Sequence, residues 1–218
     1  MPACRFAEVA DRTQDRHGHR IFAALYDRMT APAERAILGP RRAALVGELT
    51  GRVMDVGAGT GANLPHYRRA DEVIAVEPDP AMRRRLTARV ADARVPVTVI
   101  AADGETLPAE DGTVDSVVFT LVLCTVPDPA QALAEARRVL RPGGTLLALE
   151  HVLGHGRAAL WRRRLDPLWT RAAAGCHLDR DTETTIRAAG FAPATIEHFS
   201  TSPAWGPIGD LFQLTAER

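Results

Sequence analysis

Apolar side chains recur every three or four residues through residues 21–29 and again through residues 33–49. This spacing is typical of helices that bury one face. We expect Gly39-Pro40 to interrupt the second helix, because glycine and proline both disfavour a helix interior. Residues 1–50 are therefore predicted to form an N-terminal helical cap.

Short apolar runs replace the helical spacing from residue 52 onward, with helical patterns at residues 80–90 and 129–140 between them. The second of these helices should end at the Pro-Gly-Gly of residues 142–144. Apolar runs without alternation suit strands that are covered on both faces, as in a parallel sheet with helices on each side. The predicted strands cover residues 52–56, 72–76, 97–100, 115–120 and 145–149.

The last third of the chain adds two predicted helices, at residues 156–171 and 180–189, and two strands, at residues 194–199 and 210–215. Residues 51–218 are thus predicted to form one α/β domain, which suits a chain of 218 residues. Ligands of such sheets bind beyond the carboxyl ends of the strands. Motifs at those positions therefore carry the evidence for function.

The composition excludes several kinds of chemistry. All 27 basic residues are arginines, so no lysine exists for a phosphate loop, a Schiff base or a reductase Tyr-x-x-x-Lys pair. The 27 acidic residues bring the formal net charge to zero. A neutral chain gives no electrostatic reason to expect nucleic acid as a partner.

The number of cysteines indicates whether a metal site is expected, and the hydropathy indicates the cellular compartment. Cys4, Cys124 and Cys176 are predicted to be too few and too scattered for a disulfide framework or a zinc site, and we expect no metal. No segment reaches the length of a membrane span, and the N-terminus mixes acidic and basic residues, unlike a secretory signal. We therefore expect a cytoplasmic protein.

A glycine-rich segment, DVGAGTG at residues 55–61, directly follows the first predicted strand. Glycines allow a tight turn and a close approach of the backbone to a ligand. The helix that follows such a turn presents free N–H groups to an anion. A ligand-free turn is the simpler alternative. A dinucleotide site is another, since Ala62 stands where a third glycine would complete that pattern.

Acidic residues follow the next two predicted strands. Glu77, in VEPD, is placed to accept hydrogen bonds from both hydroxyls of a ribose, although it is compatible with NAD as well. Asp103, in ADGETLP, is placed to accept a hydrogen bond from an adenine amino group. The structural alternatives are a solvated strand-end acid for Glu77 and a capped surface turn for Asp103.

The ordered set DVGAGTG, VEPD, ADGETLP, DGTVDSVV and VLRPGG, within residues 50–150, resembles class I S-adenosylmethionine (SAM)-dependent methyltransferases. Each piece alone is weak, but the five in order are highly specific. The resemblance implies a Rossmann-like, seven-stranded, mostly parallel sheet with an antiparallel C-terminal hairpin. It also implies that SAM is the cofactor. The residues expected to contact SAM are Asp55, Gly57, Ala58, Gly59, Gly61, Glu77, Pro78, Asp103, Gly104 and Leu121.

A narrower resemblance lies in GANLPHY at residues 61–67, EHV at 150–152, LDPLW at 165–169 and GCHLDR at 175–180. These segments look like the methyltransferase-like alkyl-thiol S-methyltransferases and their bacterial relatives, many of which are catalogued as phospholipid or quinone-type methyltransferases. The thiol enzymes of that group carry an N-terminal membrane anchor, which we do not find here. The resemblance implies a small-molecule acceptor and allows peripheral contact with a membrane.

Candidate residues for contact with the methyl acceptor are chosen by their position along the chain relative to the predicted strands and helices. His151, directly after the fifth predicted strand, is the candidate base or acceptor-orienting group, with helix capping or packing as the alternative. Cys176 and His177 are candidates for substrate contact, and Tyr26 is a candidate for closing the site. The segment TLVLCTVP at residues 120–127 offers an apolar wall without an obvious base. This composition favours an acceptor that needs little deprotonation, such as a thiol.

The predicted function is in-line transfer of a methyl group from SAM to a thiol, amine or phenolic or lipid head-group acceptor. An NAD-dependent reductase is the alternative enzyme, weakened by the missing Tyr-Lys pair. A non-catalytic SAM-binding protein is the alternative without chemistry. The sequence leaves the oligomeric state open.

Overall fold

The computed structural model describes residues 20–154, 156–201 and 208–218, so Cys4 lies outside the described residues. The described chain begins with helix α1 (Arg20–Ala33), which continues through one wide π-turn (Glu34–Leu38) into α2 (Gly39–Val46). The predicted interruption at Gly39-Pro40 is therefore wrong. The Gly39 N–H donates to the carbonyl of Glu34, five residues back, and a Cβ on Gly39 would lie 2.7 Å from that oxygen. Glycine permits the wide turn there, and the helical path continues.

Seven strands form one sheet in the order β3-β2-β1-β4-β5-β7-β6. The pairs among β1 to β5 are parallel, whereas β7 runs antiparallel to both β5 and β6. The predicted Rossmann-like sheet with its antiparallel hairpin is thus confirmed. The strands are β1 (Thr50–Val56), β2 (Arg69–Val76), β3 (Val97–Ile100), β4 (Val114–Thr120), β5 (Leu140–His151), β6 (Ala192–Ser200) and β7 (Asp210–Glu217).

Two of the remaining helices begin directly after an aspartate that caps them. Asp79 and Asp128 each accept hydrogen bonds from two backbone N–H groups in the first turn, and a proline follows each of them. Both features satisfy or remove the donors that a helix start leaves free. Within the described residues, no helix has both the length and the apolar character needed to cross a lipid bilayer. The helices are α3 (Pro80–Arg89), α4 (Pro129–Val139), α5 (Gly156–Ala172) and α6 (Thr182–Ala188).

Helices cover both faces of the sheet, as predicted. Phe119 of β4 and Leu133 of α4 belong to the apolar layer on one face. Tyr67, which precedes β2, and Leu86, which lies on α3, belong to the layer on the other face. All four side chains are fully buried, and burial of each such side chain contributes about 1.5–3 kcal/mol. The central strands of the sheet are therefore packed on both faces, and their carboxyl ends hold the site.

Candidate active site

A cavity of about 510 Å³ opens beyond the carboxyl ends of β1, β2, β4 and β5. Helix α1 closes one side of it, and the end of α5 closes the other. Most of the predicted site residues line this cavity: Tyr26, Gly57, Ala58, Gly59, Glu77, Pro78, Asp103, Gly104, Leu121, His151 and Cys176. The fold thus brings residues from seven segments of the chain to one place.

The glycine loop after β1 has a backbone that side chains would not tolerate. Gly57 has a φ of +65°, and a Cβ there would lie 2.6 Å from both Cγ atoms of Val122. Gly59 also has a positive φ, of +58°, in the region that glycine adopts without strain. The Ala58 N–H donates to the carbonyl of Val76 at 3.0 Å, which ties the loop to β2.

Glu77, at the end of β2, is fixed by the loop that it faces. Its Oε2 accepts a hydrogen bond from the Gly59 N–H and its Oε1 accepts one from the Asp79 N–H, both at 2.8 Å. The residue is only 6% exposed. Burial raises the pKa of Glu77 to about 7, and the two backbone N–H groups act in the opposite direction. A ligand that donates hydrogen bonds here would stabilise the ionised form.

Asp103 lies beside Gly104 in the wall of the same cavity. Its Oδ1 is buried and accepts no hydrogen bond from the described residues. A buried acceptor without a partner costs free energy unless a ligand or water supplies a donor. Asp103 therefore offers an acceptor of the kind that the amino group of an adenine needs, which fits the nucleoside part of SAM.

Asp55 is placed beneath the glycine loop and does not line the cavity, contrary to the expected contact with SAM. It is 1% exposed, and its two oxygens accept hydrogen bonds from the Asn63 side chain at 3.0 and 3.1 Å. The same amide group donates to the Thr120 hydroxyl at 3.1 Å. Burial raises the pKa of Asp55 to about 6. The acid thus braces the loop and the end of β4 from below.

Gly61 and His177 also lie outside the cavity lining. A Cβ on Gly61 would meet the side chains of Leu86 and Leu64 at 3.0–3.2 Å, so its role is close packing. The Nδ1 of His177 lies 3.1 Å from Asp166 Oδ2, an acid of α5. His177 therefore fastens the segment that carries Cys176 to α5, and the expected substrate contact is wrong for His177 in this structure.

Arg42 of α2 is a cavity residue that the sequence reasoning missed. Its guanidinium is 3% exposed, donates to Glu34 at 3.0 Å and donates to Asn63 at 2.8 Å. Through Asn63 it joins the network that contains Asp55. One arginine among 27 carries no distinguishing signal in composition. Only its position on the inner face of a helix could have indicated it.

Helix α1 is attached to the glycine loop by Asp27. The Thr60 hydroxyl donates to Asp27 at 2.7 Å, and Arg89 of α3 donates to the same carboxylate at 2.8 Å. Tyr26, the neighbouring residue, lines the cavity, and burial raises the pKa of its hydroxyl. The helix is thus held over the cavity by polar contacts on its outer side.

The loop after β4 forms the wall between the two ends of the cavity. Leu121 has a φ of 62°, a strained value for a branched side chain. Glu150 of β5 holds this strained loop, because its Oε1 accepts hydrogen bonds from the N–H groups of Val122 and Leu123, at 2.8 and 3.1 Å. Burial raises the pKa of Glu150 to about 7. No role was predicted for Glu150 from the sequence, although it belongs to the EHV segment that contains the candidate His151.

Cys124, His151 and Cys176 meet at the far end of the cavity. The Cys176 Sγ lies 3.4 Å from His151 Nε2 and 3.7 Å from the Cys124 Sγ. The hydrogen bond between the two thiols lowers the pKa of Cys176 and raises that of Cys124. The fold thus brings together two cysteines that lie far apart in the sequence.

Comparisons with known proteins agree with this geometry. Residues 54–148, from β1 to β5, match the family model described as a methyltransferase domain. Thiol S-methyltransferase TMT1B of Rattus norvegicus is 38% identical over 162 residues, which cover 72% of this chain and 66% of that protein. Thiol S-methyltransferase TMT1A of Homo sapiens is 32% identical over 191 residues, which cover 84% of this chain and 78% of that protein.

A solved SAM-dependent methyltransferase of Thermotoga maritima shares the fold, with a TM-score of 0.66 at 20% identity, covering 90% of this chain and 98% of that one. The NAD-dependent reductase is excluded by the family match, and SAM is the cofactor. The chain spans about two thirds of the length of the rat relative. It belongs to the family of class I SAM-dependent methyltransferases, with the TMT1 thiol S-methyltransferases among its relatives.

Proposed function

We propose that this protein transfers the methyl group of SAM to the sulfur atom of a small, mainly apolar thiol. The observation that carries the proposal is the composition of the cavity beyond Leu121. There, apolar side chains surround Cys124, His151 and Cys176, and this part of the described lining contains no lysine or carboxylate that could serve as a strong base. The relatives named thiol S-methyltransferases support the same acceptor.

The polar end of the cavity suits SAM. In the proposed arrangement, Glu77 accepts hydrogen bonds from the ribose hydroxyls, and the unpartnered Oδ1 of Asp103 accepts one from the adenine amino group. The open backbone of Gly57 and Gly59 lies against the amino-acid end. When bound, SAM supplies a methyl group on a positively charged sulfur. The task of the chain is to hold that group in line with the acceptor and to exclude water.

A thiol is the acceptor that needs least help from this pocket. A free thiol has a pKa of about 8.5, so its ionisation near neutral pH requires only modest assistance. The thiolate lone pair forms the new S–C bond, and the leaving sulfur keeps the electron pair of the broken bond. Charges of opposite sign disappear in this step, so an apolar pocket favours it. His151, 2% exposed, is the residue proposed to position the acceptor.

An acceptor screen tests the proposal. Purified protein would be incubated with tritium-labelled SAM and matched sets of alkyl thiols, amines, phenols and phospholipid head groups. We expect product from the thiols and much less from the other classes. Faster methylation of amines or phenols would contradict the proposal. SAM binding without transfer to any class would instead support the non-catalytic alternative.

Substitution of His151 by alanine tests its positioning role. His151 contacts Cys176 and lines the acceptor end, while no described hydrogen bond joins it to the glycine loop or Glu77. We expect turnover of the thiol to fall about tenfold or more, with a much smaller change in the dissociation constant of SAM. An equal loss of turnover and SAM affinity would indicate structural damage. Asparagine at the same position provides a smaller polar control.

We further propose that α5 contacts the surface of a membrane beside the cavity. Trp161 and Leu168 on this helix are 60% and 69% exposed, although large apolar side chains usually avoid water. Exposed basic residues follow the same side of the helix at intervals of seven: Arg157, Arg164 and Arg171. An apolar face beside arginines is typical of helices that lie on anionic lipid. An apolar acceptor would enter the cavity directly from such a surface.

A further inference from the structure

Three buried side chains that are good ligands for soft metal ions converge at the acceptor end of the cavity. Cys124 follows β4, His151 is the last residue of β5, and Cys176 follows α5. Their ligand atoms all lie within 4.8 Å of one another. None of the three is more than 9% exposed, although each lines the cavity. The cluster therefore faces an enclosed space and has little contact with bulk water.

The distances match those between the ligands of a tetrahedral zinc ion. Zinc lies about 2.3 Å from a thiolate and about 2.0–2.1 Å from an imidazole nitrogen. Tetrahedral angles then give about 3.8 Å between two sulfurs and about 3.6 Å between a sulfur and a nitrogen. The observed distances are 3.7 Å for the two sulfurs and 3.4 Å for Cys176 Sγ and His151 Nε2. Two of the three ligand pairs therefore already have the separation that a tetrahedral ion requires, and the third pair lies within 4.8 Å.

We propose that Cys124, His151 and Cys176 bind one zinc ion whose fourth position is open to the cavity. Two cysteines and one histidine with an open position are a known arrangement for catalytic zinc. Two thiolates and a neutral imidazole balance the charge of the ion, which favours binding in a buried place. This inference rests on the proposed function in one respect. The two cysteines would release their thiol protons to solvent as the ion binds, and the acceptor thiol would lose its own proton to solvent and take the fourth position as a thiolate.

Backbone contacts hold the ligands in place before any ion binds. The His177 N–H donates to the carbonyl of Cys124 at 2.9 Å, which joins the two cysteine segments. The Thr170 hydroxyl donates to the carbonyl of Cys176 at 3.2 Å. Such outer contacts orient ligands and raise metal affinity. These contacts fix the backbone from which the two thiol side chains project.

A second group of possible ligands, Asp166, His177 and Asp179, is a useful contrast. Asp179 is exposed, and Asp166 already accepts a hydrogen bond from the Leu178 N–H and lies against His177. Carboxylates on a wet surface favour hard ions and bind them weakly. This group therefore supplies a control within the same chain.

The test is spectroscopic. The full chain would be purified under reducing conditions, its zinc content measured, and the stripped protein titrated with Co²⁺ as the probe. We expect about one zinc per chain, and thiolate-to-cobalt charge-transfer bands with the intense visible bands of a tetrahedral ion. Cys124→Ser and Cys176→Ser should each lower zinc affinity by at least about tenfold, as measured with a competing chelator. Asp179→Asn should leave the cobalt spectrum unchanged.

Two outcomes would overturn the zinc proposal. One is stripped protein that is folded and binds SAM but gives no charge-transfer band with Co²⁺. The other is a band that persists when both cysteines of the cluster are serine. A shift of the cobalt bands when an alkyl thiol is added would support the open fourth position.

The zinc site and the proposed function can fail separately. If zinc binds but no thiol is methylated, the proposed function fails and the ion site stands. If zinc-free protein methylates thiols at an unchanged rate, the proposed function stands and the ion does not hold the acceptor.

Discussion

The two ends of the cavity are built in different ways. At the cofactor end, Gly57 and Gly59 belong to one short motif and Glu77 ends the next strand along the chain, and hydrogen bonds from backbone N–H groups fix them relative to one another. At the acceptor end, Cys124 and Cys176 come from distant segments, and only tertiary packing joins them. A common cofactor thus meets a locally encoded surface. The acceptor meets a surface that can change with few consequences for the rest of the fold.

Buried polar atoms are satisfied to different degrees around the cavity. Both oxygens of Glu77 have backbone partners. Near the acceptor end, Glu150 Oε2 and Trp169 Nε1 are buried without a partner among the described residues. Atoms of this kind are usually satisfied by ligands or by water. At the cofactor end, Asp103 Oδ1 is likewise buried without a described partner, so a bound molecule could supply missing hydrogen bonds at either end.

Of the proposed substitutions, that of Gly57 by alanine should have the largest effect, and it should act on stability. Gly57 lies where the two ends of the cavity meet. The new Cβ would clash with Val122, and the φ of +65° would add strain. Together these effects should lower the free energy of unfolding by about 2–5 kcal/mol. Chemical denaturation measures this loss. Gly143→Ala is the matched control, because Gly143 has a φ of +73° and no atom within 4 Å of its Cβ position.

In Gly143→Ala, only the unfavourable backbone conformation should lower the free energy of unfolding, by about 1–2 kcal/mol. Equal losses in the two variants would mean that Val122 moves aside easily. The wall between the two ends of the cavity would then be softer than its contacts indicate.

Substitution of Glu77 by alanine should weaken SAM binding by about tenfold or more, because hydrogen bonds to a charged acceptor are lost. Calorimetry measures the dissociation constant. Cys176→Ala is the control at the other end of the cavity and should change SAM affinity by less than about twofold. An unchanged affinity in Glu77→Ala would show that the ribose lies elsewhere. A large change in Cys176→Ala would show that the two ends are not independent.

The same contrast explains which features the sequence predicts. The strands follow from apolar runs, and the antiparallel hairpin follows from the family that the five motifs resemble. Glu77 reaches the cavity because it ends a strand. Asp55 and Gly61 belong to the same motif but support it from behind. A motif shows that residues belong together and does not show which of them point outward.

The acceptor end is harder to predict, because its members are related only through the fold. Cys124 and Cys176 are separated by three elements of secondary structure. Arg42 has no local signal, and its importance comes from the buried amide of Asn63. His177 is next to Cys176 in sequence, yet adjacent side chains point apart, and it contacts Asp166 instead. Long-range packing decides all of these positions, and periodicity carries no information about it.

The raised pKa of Glu77 predicts a smaller effect, a pH dependence of SAM affinity that arises at the cofactor end. Burial raises this pKa to about 7, so the acid is largely protonated below that pH in the cofactor-free protein. Hydrogen-bond donors on the ribose favour the ionised form, so SAM should bind more tightly as the pH rises through about 7. The dissociation constant should fall by up to about tenfold between about pH 6 and 8. Glu77→Gln should remove this dependence, apart from any titration of SAM itself.

The smallest effect should come from a substitution on the exposed face of α5, and it should change binding to lipid vesicles. Leu168→Asp places a charge where lipid contact is proposed, 69% exposed and away from the cavity lining. We expect about threefold weaker sedimentation with vesicles of phosphatidylcholine and phosphatidylserine, with unchanged methylation of a water-soluble thiol. Ala134→Asp on α4 makes the same change of charge at another exposed position. If both variants sediment like the original protein, the face of α5 does not bind lipid. The apolar acceptor would then have to reach the cavity through water.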